Sequence, residues 1–262
     1  MKKNILLLLT IVLTHSIFAQ ENYSERRKSW FDLQVAQHIG LNSWSNVAYA
    51  NAGFPANALT EFRGALNFYI SYPVGAFIDM GVGIMPAPSM RSLSLDRFPM
   101  PHQGTQYYLR DILSESGNSN ASAHFKASVG LFGNIPAAEK LTVMPYFGIG
   151  LLSPVSQRKY EVLLKEHGSN MQYQAIYSWN HNNSNEYDEQ VPLGYLTGRL
   201  NFNYKLSSKS SLLLGLEYMW FMNTLDFYGK YTNTFNANIQ KDFSVKGNNM
   251  NMLGVSVGIS FR

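Results

Sequence analysis

The chain has 262 residues, of which 45% are hydrophobic, 14% are aromatic and only 15% are charged. This composition excludes a disordered protein, which needs low hydrophobicity and high net charge, and the 20 glycines beside so many aromatic residues favour strands and tight turns. The modest formal charge of +4 argues against a nucleic-acid partner, and the absence of cysteine excludes a disulfide scaffold and a cysteine metal site.

The N-terminus has the pattern of a secretory signal peptide. Met1 to Lys3 is a short positive region, Ile5 to Leu13 is apolar, and Ile17 to Ala19 precedes a predicted cleavage site after Ala19. The apolar stretch is shorter than the roughly 20 residues that a spanning helix needs, and no later stretch is long enough. We therefore predict a signal peptide over 1–19, a periplasmic lead-in over 20–29 and an exported domain over 30–262, which could span a membrane only as a closed barrel.

After the lead-in, apolar and small or polar residues alternate, which predicts β-strands. The alternation is clearest at the end of the chain, where Leu253, Val255, Val257, Ile259 and Phe261 share one face. Eight such segments occur, an even number as in single-chain outer-membrane barrels. They are Trp30 to Leu41, 61–70, Gly75 to Met85, Ala121 to Phe132, Leu141 to Leu151, Val191 to Leu206, Ser211 to Met222 and Leu253 to Phe261.

The connections between these segments alternate between short and long. The short ones lie at 72–74, 134–140 and 207–210, and the long ones at 42–58, 86–120, 153–190 and 223–247. Outer-membrane barrels have short periplasmic turns and longer extracellular loops. We therefore expect every long loop to lie outside the cell.

Periodicity alone leaves open a soluble barrel with an apolar interior, such as a lipocalin. The interior of an eight-stranded barrel is only just wide enough to be filled by side chains, and the Leu, Phe, Ile and Trp residues of one face would overfill it. Most strand glycines lie on the opposite face. The prediction is an all-β, eight-stranded antiparallel transmembrane barrel with an up-and-down strand order, large apolar side chains facing lipid and long extracellular loops.

In strand number, alternation and loop order, the segment from Trp30 to Phe261 resembles the small outer-membrane β-barrels of Gram-negative bacteria, which include the OmpA-type transmembrane domain and the OmpX and OmpW types. The resemblance is one of pattern and covers no sequence motif. It implies a location in the bacterial outer membrane, contact with its lipid, and the barrel-assembly machinery as a partner during biogenesis. Members of this family commonly end on an aromatic residue that this machinery recognises, whereas here Phe261 is next to last and Arg262 follows it, which departs from that pattern. The resemblance also implies a lumen plugged by paired charges.

Charged side chains of both signs occur on the predicted lumenal face. An unpaired charge in a low-dielectric interior costs several kcal/mol, so we predict a network of ion pairs, in which Arg199 and Glu217 on consecutive strands are the first pair to test. The open alternative is a proton or ion path, or a narrow pore gated by those pairs. The predicted lumenal residues are Asp32, His38, Glu61, Arg63, Asp79, His124, Lys126, Arg199 and Glu217.

The longest loop contains the most distinctive residues outside the strands. It begins with Arg158 to His167, a segment compatible with a short helix because Glu161 and Lys165 lie four residues apart. Aromatic and amide residues follow, which suit contacts with sugars or protein surfaces. The predicted loop-binding residues are Tyr173, Tyr177, Trp179, His181 and Tyr187.

Catalytic motifs are weak. The sequence His167-Gly168-Ser169 faintly resembles the His-x-Ser pair of outer-membrane lipid A deacylases, but it falls in a loop, where composition explains it. No cofactor or metal site is predicted. We therefore expect a non-enzymatic protein whose loops contact an extracellular or envelope protein or a glycan. A narrow solute or ion channel, a membrane component of a secretion or assembly machine, and a lipid-modifying enzyme are the alternatives.

Overall fold

The computed structural model describes residues 29–41, 58–86, 102, 104–115, 121–154, 159–180, 192–224, 226–245 and 249–261. No helix in these ranges has the length and hydropathy needed to cross a membrane. The strands are β1 (Ser29–Gly40), β2 (Ala58–Ser71), β3 (Val74–Pro86), β4 (Tyr107–Glu115), β5 (Ala121–Gly133), β6 (Ile135–Pro136), β7 (Leu141–Pro154), β8 (Lys159–Glu166), β9 (Gln172–Asn180), β10 (Leu193–Lys205), β11 (Ser210–Thr224), β12 (Asp226–Asn233), β13 (Gln240–Val245) and β14 (Asn249–Phe261).

Eight of these strands close into an antiparallel barrel. Its order is β1-β2-β3-β5-β7-β10-β11-β14, and β14 pairs back onto β1 with Phe261 opposite Phe31. These are the eight strands predicted from the alternation, so the fold prediction is confirmed. Closure gives every barrel strand two neighbours, which leaves no free edge inside a membrane.

The barrel exposes its large apolar side chains on the outside. Along β14, Val255 and Val257 are 56% and 51% exposed, whereas the alternating residues Gly254 and Ser256 face the lumen and are buried. From Leu253 to Phe261, eight steps of about 3.4 Å at a strand tilt of about 40° span about 21 Å, close to the height of a lipid-facing band. The soluble alternative is wrong, because its outer face would be polar.

Short turns join the strands at one end of the barrel, here called the short-turn end. Ser207 shapes the turn between β10 and β11, since its Oγ accepts the backbone N–H groups of Lys209 and Ser210, both at 3.1 Å. This local bonding replaces strand pairing and lets the chain reverse. The opposite end, from which the long connections leave, is called the long-loop end.

Instead of irregular loops, the described parts of three of the four long connections form a second antiparallel sheet in the order β13-β12-β9-β8-β4. The short helix expected over Arg158 to His167 is wrong, and β8 occupies this segment. Val162 and Leu164 are fully buried while Leu163 is half-buried, which is the period of two that a strand requires. Pairing with β4 and β9 on both sides outweighs the helical i,i+4 spacing.

The second sheet repeats the lateral order of five barrel strands. Along the chain, each strand of the second sheet is next to one barrel strand: β13 to β14, β12 to β11, β9 to β10, β8 to β7 and β4 to β5. Short segments such as 155–158 and 246–248 separate the paired strands. The same up-and-down path therefore sets the order of both sheets.

Candidate functional site

Strand alternation brings the predicted lumenal side chains together inside the barrel. Small residues between them make the space, as at Gly254, where a Cβ would overlap the His38 ring. The nine predicted lumenal residues are only 0–6% exposed: Asp32, His38, Glu61, Arg63, Asp79, His124, Lys126, Arg199 and Glu217.

Glu217 on β11 is the centre of the network. Arg63 Nη1 donates to its Oε2, and Lys126 Nζ lies 3.3 Å from its Oε1. The Thr197 hydroxyl donates to Oε1 at 2.8 Å, and His38 Nε2 lies 3.1 Å from Oε2. One carboxylate is thus bound from four other strands, which ties β1, β2, β5 and β10 to β11 across the lumen.

A second carboxylate completes the coordination of Lys126, and neutral side chains complete that of Arg63. Lys126 Nζ also donates to Glu61 Oε2 at 3.0 Å. Arg63 donates through Nε and Nη2 to Gln34 Oε1 at 3.1 and 2.6 Å, and Ser256 Oγ donates to the same oxygen at 3.1 Å. Gln34 and Ser256 are uncharged and were not among the predicted residues, although both lie at lumenal positions of the alternation.

A second ion pair joins Arg199 to Asp79 at 2.7 Å. The expected pair of Arg199 with Glu217 is wrong, although the two residues are directly opposed in the register of β10 and β11. The Arg199 guanidinium lies instead over the Tyr146 and Phe77 rings, 4.5 and 5.4 Å from their centroids. Cation–π attraction and the reach of arginine across a narrow lumen account for the different partner.

Two predicted members have other surroundings. Both ring nitrogens of His124 are buried, and no residue in the described ranges hydrogen-bonds to either, so His124 is not part of the paired network. Asp32 lies nearer the short-turn end, where its Oδ2 accepts a hydrogen bond from Asn67 Nδ2 at 2.9 Å. The network is therefore smaller than the sequence predicted.

The lumen contains three layers along its axis. The ionic core consists of three carboxylates and three cations, so its formal charges balance: Glu61, Asp79, Glu217, Arg63, Lys126 and Arg199. Towards the short-turn end lies the aromatic layer of Trp30, Phe77, Phe132, Met144 and Tyr146. Towards the long-loop end lies the long-loop layer of Leu59, Leu152, Leu193, Tyr195, Met219, Phe221 and Met252.

This arrangement favours a structural role for the charges over a catalytic one. The ionic core is buried between two apolar layers, and each of its six members bonds to a side chain of opposite charge. Within the described ranges, no three His, Cys, Asp or Glu side chains are placed to hold a metal ion. A substrate would have to displace one apolar layer before it reached a charged group.

Tyr173, predicted as an exposed loop-binding residue, is buried in the second sheet and only 3% exposed. Its hydroxyl lies 3.0 Å from His102 Nε2, and its ring centroid lies 5.8 Å from that of Tyr107. Burial, with Tyr173 and Glu166 nearby, raises the pKa of Tyr107 to about 12. Tyr173 therefore packs within the sheet, and the prediction of an exposed binding residue at this position is wrong.

The other predicted loop-binding residues are only partly covered by the structure. Tyr177 and Trp179 lie on β9, opposite Gly229 and Phe227 of β12, and their side chains lie outside the described part. His181 and Tyr187 lie outside the described residues. Their role in binding stays a prediction.

The His167-Gly168-Ser169 sequence forms the turn between β8 and β9. Ser169 Oγ donates to Glu166 Oε2 at 3.0 Å, and His167 is exposed. Among the described residues, the His167 side chain forms no hydrogen bond with Ser169, so the two residues are not arranged as a base and a nucleophile. The structure thus gives these residues a turn-forming role.

Comparisons with known proteins return structural likenesses only. No protein-family model and no curated protein matches the chain. A major outer membrane protein from Thermus thermophilus is 10% identical, with 90% of this chain and 99% of that chain covered and a TM-score of 0.43. Neisserial surface protein A is 10% identical, with coverages of 90% and 97% and a TM-score of 0.42. The outer membrane protease OmpT from Escherichia coli is 9% identical, with coverages of 89% and 95% and a TM-score of 0.30.

Similarities of this size carry no information on function, and the chain's own features assign the fold. Eight antiparallel strands close into a ring, a band of large apolar side chains covers the outside, and the charges lie within. An apolar surface this large is compatible with lipid and not with water. The chain therefore has the fold of the small outer-membrane β-barrels.

Proposed function

We propose that this protein is a closed, non-conducting barrel of the bacterial outer membrane whose folded long connections contact a partner outside the cell. One observation carries the proposal: three layers fill the lumen, while the described parts of three long connections form a five-stranded sheet. With the short turns in the periplasm, as in known barrels of this kind, the second sheet faces the exterior. The barrel then anchors the protein in the membrane, and the second sheet contacts the partner.

The lumen opposes ion passage at three successive levels. The aromatic layer and the long-loop layer present apolar side chains to any ion, which loses its hydration there. Between them, an ion would have to separate Glu217 from Arg63 or Asp79 from Arg199. Breaking a buried ion pair costs about 3–5 kcal/mol, so the closed state is strongly favoured.

A narrow ion channel is the second candidate, and one feature of the short-turn end favours it. Asp32, Asn67, Asn201, Asn203 and Ser260 are buried on the lumenal side of strands that flank the aromatic layer. Polar side chains of this kind can bind water along part of the lumen wall. Conductance measurements separate the two candidates.

The second sheet is suited to contact because it is ordered before any partner arrives. Buried Val162 and Leu164 hold one face together, while Glu161, Lys165 and Gln174 on the other face remain partly accessible. A preformed surface avoids much of the entropy that a flexible loop loses on binding. The polar character of this face fits a protein surface or a glycan.

The absence of native cysteine allows a clean test of orientation. Asn170→Cys at the β8–β9 turn and Ser208→Cys at the β10–β11 turn are matched exposed positions at opposite ends of the molecule. On intact cells, a membrane-impermeant maleimide should label the first variant and not the second. After cell lysis, both should be labelled.

Planar-bilayer recordings test whether the lumen is closed to ions. The wild-type protein should give no discrete openings, and Glu217→Gln, which removes the central carboxylate, should give brief openings at a low rate. Steady conductance of the wild-type protein would refute the non-conducting barrel and support the narrow ion channel. Labelling of Ser208→Cys but not Asn170→Cys on intact cells would refute the external role of the sheet.

A further inference from the structure

A surface pocket lies at the β8–β9 turn, beside the beginning of β4. Its volume is about 400 Å³, and it is lined by Tyr108, Lys165, Glu166 and the turn residues 167–170. The proposed orientation places this turn at the exterior end of the second sheet. The pocket belongs neither to the lumen nor to the predicted loop-binding residues.

Hydrogen bonds fix the shape of the pocket. Gly168 has a φ of +80°, a left-handed conformation that favours glycine. Ser169 Oγ accepts the Met171 N–H at 2.9 Å and donates to Glu166 Oε2 at 3.0 Å. The His167 N–H donates to the Gln106 carbonyl at 2.8 Å, which joins the turn to the chain leading into β4. The pocket is therefore formed before a ligand binds.

The chemistry of the pocket combines an aromatic ring with a cation. Tyr108 is 44% exposed and lies directly opposite Lys165 in the register of β4 and β8. Opposed side chains in an antiparallel pair are about 5 Å apart at Cβ. No residue in the described ranges forms an ion pair with Lys165, whereas the Glu166 carboxylate already accepts the Ser169 hydroxyl. The Lys165 ammonium is therefore the cation that can receive an anionic group, while Glu166 keeps its negative charge and has one oxygen bound by Ser169.

We propose that this pocket binds an acidic saccharide, with a sugar ring against Tyr108 and its anionic group on Lys165. The flat apolar face of an aromatic ring suits the C–H face of a pyranose, while its polar surroundings suit the hydroxyls. A volume of about 400 Å³ is at the small end of ligand pockets, which fits a short saccharide. This inference deepens the proposed function and rests on it for access from outside the cell.

Isothermal titration calorimetry on the full chain in lipid nanodiscs tests the proposal. The probe is an oligogalacturonate tetramer, and cellotetraose is the neutral comparator. Lys165→Gln and Tyr108→Ala remove the cation and the ring. Lys209→Gln in a short turn and Phe235→Ala, a 68% exposed aromatic residue, are the matched controls. Circular dichroism and the urea midpoint establish that each variant is folded.

We expect wild-type protein to bind the acidic tetramer at least tenfold more tightly than cellotetraose, and more weakly as salt is added. Each pocket variant should lose about tenfold in affinity, and each control should keep the wild-type value. Absence of wild-type binding at millimolar probe, or unchanged affinity in both pocket variants, would overturn the proposal. Conductance and cysteine labelling do not depend on the sugar, so a failure here is distinct from a failure of the proposed function.

A competition arm identifies the source of the saccharide. Polysaccharide purified from the surface of the producing cells is added at increasing concentration before the tetramer. Displacement would assign the pocket to a glycan of the same cell. Tetramer binding without displacement would assign it to an acidic glycan of another cell or matrix.

Discussion

Removal of the Glu217 charge is the most direct test of the ionic core. Glu217→Gln keeps the side-chain size, but it loses the carboxylate that binds Arg63, Lys126 at 3.3 Å and Thr197 at 2.8 Å. Lys126 keeps Glu61 at 3.0 Å, and Arg63 keeps its neutral partners. Since neither cation is left without a partner, we expect a loss near the lower end of the range of about 3–5 kcal/mol for a broken buried pair.

Urea unfolding in lipid vesicles, followed by tryptophan fluorescence, measures this loss. Lys126→Met, Glu217→Gln and the double variant form a cycle, in which the double variant should lose about 1–2 kcal/mol less than the sum of the single variants. A cycle on Arg199 and Asp79 should give a coupling energy of similar size. Arg199 with Glu217 is the matched control, because the residues are opposed in register but bond to different partners.

Two results would refute this reasoning. A loss below about 0.5 kcal/mol for Glu217→Gln would show that the core charges are dispensable, since that is the range of ordinary surface substitutions. Stronger coupling for Arg199 with Glu217 than for Arg199 with Asp79 would show that strand register, and not the observed cross-lumen contact, decides the pairing.

Three further predictions concern the wall, the packing and the second sheet. Val257→Arg should lower the free energy of unfolding in vesicles by about 2–4 kcal/mol, because it places a charge in lipid, whereas Ser208→Arg in an exposed turn should change it by less than about 0.5 kcal/mol. Gly254→Ala should cost about 1–3 kcal/mol in the same assay, because the added Cβ overlaps the His38 ring; no change would contradict the observed packing. Ultraviolet titration of wild type against Tyr107→Phe should give Tyr107 a pKa of about 12 in the folded protein. The folded pKa lies above the unfolded value, so its contribution to stability should fall between pH 10 and 12, and a titration near pH 10 would contradict the burial.

The sequence by itself determined the barrel. Alternation along segments such as Leu253 to Phe261 requires one apolar and one small or polar face, because successive side chains of a strand point to opposite sides. The volume inside eight strands then decides which face is outward. These are local and geometric constraints, and the structure confirms the strand number, the closure and the apolar exterior.

The sequence failed where a segment depends on distant partners. The spacing of Glu161 and Lys165 is compatible with a helix, yet β4 and β9 lie on either side of this segment and make it a strand. Those neighbours come from separate long connections. Their pairing adds hydrogen bonds along both edges, which no property of the segment alone reveals.

Only the tertiary structure decided the partners of the buried charges. The sequence indicated which charged residues face the lumen, because alternate residues of each strand point to the same side of the barrel wall. Long side chains cross a narrow lumen, however, so Arg199 reaches Asp79 and the rings around it instead of Glu217 on the neighbouring strand. The alternation along a strand determines whether a side chain faces the lumen or the outside. Which charges pair depends on distances across the barrel, and these are set only when the last strand pairs with the first.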